Sequence, residues 1–165
     1  LLPRKTFKIF KPLSIKDFIL NLFKNFTGKL NVPKIVKNLI LAIAKTIFFI
    51  YGFMWTLKRR PIESMSDVYK LFYLNFLRLH ENDVEIVRLE DDLLVTRCKN
   101  PCPILRLSLS LNVDTKTSCK IVSEPVCKYV LHKLNPNLVF ERNYEHIRPY
   151  SESCEETIYW RGRVR

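Results

Sequence analysis

EIVRLE (residues 85–90), Asp91-Asp92 and LLVTRC (93–98) form the stretch on which the fold turns. Two short runs rich in Ile, Val and Leu flank a pair of acidic residues. That pattern predicts two strands joined by a tight turn. Downstream, LRLSLSL (105–111) alternates strictly, with Leu105, Leu107, Leu109 and Leu111 on one side, and predicts a third strand. Ser123-Glu124-Pro125 opens a helix that runs through Val126, Val130, Leu131 and Leu134 and stops at Asn135-Pro136. LVFERNYEHI (138–147) and ETIYWRGRV (156–164) then read as a closing strand pair, joined by a turn around Pro149 and Ser151.

Upstream of the hairpin the signals are helical. Ser66-Asp67 offers a cap for a helix over 67–79, with Val68, Leu71, Phe72 and Leu79 on its apolar face. Residues 34–57 are the most apolar in the chain, with Lys45 the one charge between Asn38 and Leu57. A helix of that length spans about 30 Å. The sequence leaves two readings of it open: a core helix enclosed by the fold, or a membrane helix stopped by Lys58, Arg59 and Arg60. The core reading is favoured, because Lys45 costs a few kcal/mol in lipid. Further back, SIKDFILNLFKNF (14–26) reads as a short amphipathic helix, with Ser14 and Asp17 as a capping box. Helices first and strands later predict an α+β fold: N-terminal helices, then a mostly antiparallel sheet with one intervening helix.

Composition divides the chain of 165 residues in two. Hydrophobic residues at 47 % exclude a wholly disordered chain. Residues 1–60 hold 13 basic side chains against Asp17 alone, and so carry the whole net charge of +12. Residues 61–165 hold 15 of each sign and are neutral. We therefore expect a basic, apolar helical region over 1–60 and an α+β domain over 61–165. Phe7, Phe10, Phe18, Phe23 and Phe26 interleave with the front's lysines, which suits an anionic membrane surface. Nucleic acid is the weaker fit, because no recognised nucleic-acid motif accompanies the charge.

All five cysteines lie between 98 and 154, an odd count with no disulfide-framework spacing. No secretory signal is readable, so the expected compartment is reducing: cytoplasmic, with membrane contact as the alternative. Cys119, Cys127, His146 and Cys154 are candidate zinc ligands, since zinc takes soft thiolates and imidazole in fours. Cysteines buried as small hydrophobes explain the same set. Cys98 is the candidate nucleophile, because Arg97 beside it in sequence is a cation able to raise its thiolate fraction. No Gly-rich phosphate loop, HExxH, GxSxG or kinase signature is present, which leaves nucleotide-dependent chemistry unsupported.

VTRC (95–98), DTKTSC (114–119), SEPVC (123–127), LNPNLVFERN (134–143) and CEETIYW (154–160) together resemble two linked families. One is the L-2-amino-thiazoline-4-carboxylic acid hydrolase-like family; the other is the V4R (4-vinyl reductase) domain, which includes small-molecule sensors. The resemblance covers residues 84–160. It implies an α+β domain that encloses a small apolar or aromatic ligand, with zinc held by Cys127 and Cys154. His146 replaces a third cysteine, and Cys119 or Glu145 is the fourth ligand. Phe72, Tyr73, Phe76, Tyr129, Phe140 and Tyr144 are the expected aromatic supply. Its enzymatic alternative is a C–N hydrolase using Cys98 or a metal-activated water. Oligomeric state is left open, a homodimer included.

Overall fold

The computed structural model describes residues 32–58 and 60–162. The helix expected over 14–26 and the phenylalanines of the basic front lie outside the described residues. Helix α1 (Lys34–Thr56) follows Pro33. Helix α2 (Met65–Val68) continues as a π-helical segment over Tyr69–Phe76. A 3-10 turn (Glu81–Asp83) leads into the hairpin of β1 (Val84–Leu89) and β2 (Leu93–Cys98). A helical stretch follows: α3 (Pro103–Leu111), α4 (Thr115–Ser118), a π-helical segment (Cys119–Ser123) and α5 (Glu124–Leu134). Strands β3 (Leu138–Arg142) and β4 (Cys154–Trp160) close the described chain.

The fold is α+β. Among the described residues four strands pair antiparallel in the order β1-β2-β4-β3, so β4 lies between β2 and β3. The acidic turn of the hairpin is where the sequence places it, with Glu90 N–H donating to the Leu93 carbonyl at 2.8 Å. Side chains alternate across the sheet. Leu94, Thr96 and Cys98 of β2 are buried, as are Glu156 and Ile158 of β4 and Leu138 and Phe140 of β3. These inward residues form rows across the strands. Leu94, Ile158 and Phe140 make an apolar row; Thr96, Glu156 and Arg142 make the next; Cys98 and Cys154 make the last.

The strand expected over 105–111 is a helix. Pro103 sits in its first turn, where a missing N–H costs nothing. Ile104, Leu107, Ser108 and Leu111 point into the core at a helical repeat, and Leu109 is left 53 % exposed. The Ser108 hydroxyl donates to the Ile104 carbonyl at 2.6 Å, so its polarity is satisfied inside the helix. The chain between β2 and β3 therefore carries helix nearly throughout, rather than one intervening helix. The cap of α2 also differs: Ser64, not Ser66, is the N-cap, in a capping box with Asp67.

Helix α1 is not enclosed. One face packs on the rest of the fold through Leu41, Gly52, Phe48, Tyr51 and Trp55. Phe48, Tyr51 and Trp55 all stand against Phe76, with ring centroids 5.2–5.7 Å apart. Two hydrogen bonds fix this seam: the Tyr51 hydroxyl to the Phe76 carbonyl at 2.8 Å, and Trp55 Nε1 to Asn75 Oδ1 at 2.9 Å. The opposite face leaves Ile35, Leu39, Ile43, Ile50, Phe53 and Leu57 exposed. By length and composition α1 is able to cross a membrane, and little of it is buried.

Candidate functional site

Beneath α1, at the end of the sheet where β2 finishes and β4 begins, lies a cavity of about 170 Å³. Its apolar wall comes mainly from α1 (Ala44, Phe48, Tyr51), the end of the α2 segment (Phe76, Leu77, Leu79) and Ile104 of α3. All five cysteines line it. Each comes from a different place: Cys98 from the end of β2, Cys102 from the loop before α3, Cys119 from the π-helical segment, Cys127 from α5 and Cys154 from the start of β4. All five are free thiols.

The expected ligand set is thus only partly assembled. Cys119, Cys127 and Cys154 share the cavity wall, but His146 is exposed in the turn between β3 and β4 and takes no part in the lining. Among the described residues no group of three or more His, Cys, Asp or Glu side chains is placed to hold a metal ion. Glu145 pairs loosely with Lys116 at 3.6 Å.

The thiol chemistry follows from burial. Desolvation pushes the Cys119 thiol up to about 11 and Cys127 up to about 12. Burial raises Cys98 furthest, with the Glu156 charge adding to it, and Cys102 is raised for the same leading reason. The guanidinium expected to activate Cys98 is engaged on the other face of the sheet, where Arg97 Nε donates to Glu155 Oε2 at 3.0 Å. Alternation along the strand separates neighbours in sequence. We expect iodoacetamide at neutral pH to leave Cys98, Cys102, Cys119 and Cys127 unmodified in the folded chain, while the denatured chain labels fully. Rapid modification of Cys98 in the folded state, read by mass spectrometry, contradicts this.

Two charged residues outside the expected set anchor the cavity. Arg142 and Glu156 oppose each other on β3 and β4, with side chains 7 % and 6 % exposed. Arg142 Nη2 and Nε both donate to Glu156 Oε1, at 2.5 and 3.1 Å, and Nη1 donates to Ser123 Oγ at 2.8 Å. Burial alone lowers the Arg142 pKa, but the Glu156 charge outweighs it and holds the guanidinium firmly protonated. The Glu156 carboxylate also faces the buried Tyr73 hydroxyl, whose pKa is raised first by burial and then by Glu156, and which accepts from Thr96 Oγ1 at 2.8 Å. The parity of LVFER and CEETIYW carries this signal: Arg142 shares a face with Leu138 and Phe140, and Glu156 with Ile158.

Arg148 also lines the cavity, from the turn before β4. Of the six aromatic residues expected to line a pocket, only Phe76 does so; Phe72, Tyr73 and Phe140 fill the core beneath it. Phe48 and Tyr51 of α1 supply the other rings. Comparison with known proteins returns no matching family model, no matching curated protein and no matching solved structure.

Proposed function

We propose that this chain is a small-molecule-binding module whose ligand occupies the cavity beneath α1. The observation that carries this reading is a void of about 170 Å³, walled by rings and aliphatic side chains, with buried charges at one side. An apolar cavity of about 150 Å³ is large enough to stay dry and bind benzene, so this one suits a ligand with a single ring or a short acyl chain. Nucleophilic catalysis is the weaker reading, because burial and the Glu156 charge hold the Cys98 thiol protonated and outweigh the lowering by Thr96 and Arg142. The zinc implied by the family resemblance requires His146 to turn inward, and it is not needed for the module. Ethylbenzene is expected to raise the melting temperature of the full chain. Ala44→Phe, which projects a ring from α1 into the void, is expected to remove that rise. No rise for the parent chain removes the reading.

A second reading concerns α1, whose exposed apolar stripe favours contact with a membrane surface. Ile35, Leu39, Ile43, Ile50, Phe53 and Leu57 recur on one side, and the first 60 residues carry the whole net positive charge. An amphipathic, basic segment of this kind lies in the headgroup region of anionic membranes. The full chain is expected to co-sediment with vesicles containing phosphatidylglycerol and to be released by high salt. Ile43→Glu combined with Ile50→Glu, which leaves the packed face untouched, is expected to weaken that binding about tenfold. Binding indifferent to both salt and these substitutions contradicts it.

A further inference from the structure

We infer that the ligand of this cavity is an organic carboxylate, its apolar body under α1 and its carboxylate against Arg148. The inference rests on the binding-module reading and adds the chemistry of the head group. Among the described residues, four formally charged side chains line the cavity: Arg78, Arg142, Arg148 and Glu156. Glu156 is the only acid among them, and its Oε1 is already taken by two donors of Arg142. Arg78 is exposed at the rim and acts on the Tyr51 hydroxyl. Arg148 is the charge left over. Among the described residues it has no acidic partner; its Nη2 reaches Asn100 Oδ1 at a long 3.4 Å, and its Nε is buried without a hydrogen bond.

A buried guanidinium donor without an acceptor is costly, and nothing among the described residues compensates it. Nε and Nη2 form the edge that meets a carboxylate through two parallel hydrogen bonds. Here that edge holds one weak neutral contact. Glu156 cannot serve it, because Arg142 and the row across β4 and β3 fix that carboxylate in place. A ligand carboxylate matches the vacant acceptor position and the surplus positive charge together. A neutral amide of the same shape offers one acceptor oxygen and no charge.

The test compares 4-ethylbenzoate with 4-ethylbenzamide by isothermal titration on the full chain, alongside Arg148→Met and Arg148→Lys. We expect the benzoate to bind the parent chain at least about tenfold more tightly than the amide. Arg148→Met is expected to bring the two within about twofold by weakening the benzoate alone, and Arg148→Lys to keep part of the preference, since it retains charge without the fork. Equal binding of the two compounds by the parent chain overturns the carboxylate. So does a preference that survives unchanged in either variant. The two readings fail differently: if ethylbenzene binds and the benzoate gains nothing, only the carboxylate is lost. If none of the three compounds binds, the module itself is lost.

Discussion

Arg142→Leu is expected to cost about 3–5 kcal/mol of stability, because it strands the Glu156 carboxylate in a site only 6 % exposed. The substitution removes both donors to Oε1 and the hydrogen bond to Ser123. Nothing else within the described residues carries a positive charge on that row of the sheet, where Thr96 and Glu156 are its neighbours. In thermal unfolding the melting temperature falls by about 10 °C or more. The companion result separates pairing from packing. A chain with both Arg142→Leu and Glu156→Leu is expected to recover most of the loss, since two apolar side chains of similar volume carry no unpaired charge. If the double variant is no more stable than the single one, the pair is not the source of the effect.

Gly52→Leu is the second large effect. A Cβ at this position meets Val130 Cγ2 at 2.9 Å and Val126 Cγ1 at 3.2 Å, with Phe76 Cζ at 3.7 Å. Both valines are fully buried and β-branched, so neither yields by changing rotamer. Helix α1 has to move away from α5 to accept any side chain here. We expect a loss of about 3 kcal/mol in urea unfolding for Leu. For Ala, a loss of about 1 kcal/mol is expected despite its intrinsic helical advantage over Gly of similar size. Because Ala44, Phe48 and Tyr51 ride on the same helix, Gly52→Leu is also expected to abolish the ethylbenzene response. Retention of that response with full stability shows that α1 is not seated through Gly52.

The elements that carried strong, single-valued patterns were readable from residue order. The hairpin over 84–98 was one, because its acidic turn and flanking β-branched runs agree with one another. The helix ending at Leu134 was another, stopped by Asn135-Pro136. LRLSLSL misled because alternate leucines satisfy a strand's period while Ile104, Leu107, Ser108 and Leu111 satisfy a helix's. Pro103 in the first turn and Asn112 in a left-handed conformation at the end are the local signals that decide it. The site was half legible. Ligand chemistry singled out Cys119, Cys127, His146 and Cys154; the three cysteines share a cavity wall to which Cys98 and Cys102 belong as fully, while His146 stands outside it. Sequence neighbours misassigned Arg97 to Cys98, since adjacent residues in a strand face opposite ways. Arg142 and Glu156 each break an inward-facing apolar row, where a charge needs a partner, but no motif marks them in the sequence. Arg148 had no local signal at all, being brought to the cavity by the turn between β3 and β4.

The strand order has a consequence for how the chain acquires its structure during synthesis. Strand β4 is the last described strand to leave the ribosome, yet it occupies the middle of the sheet between β2 and β3. Until residues 154–160 emerge, β2 and β3 each present an edge without its partner, and Arg142 exists without Glu156. The helices over 103–134 are local and form early; the sheet and the cavity floor wait for the final insertion. A nascent chain arrested before Cys154 therefore lacks the central strand of the sheet and the acidic partner of Arg142.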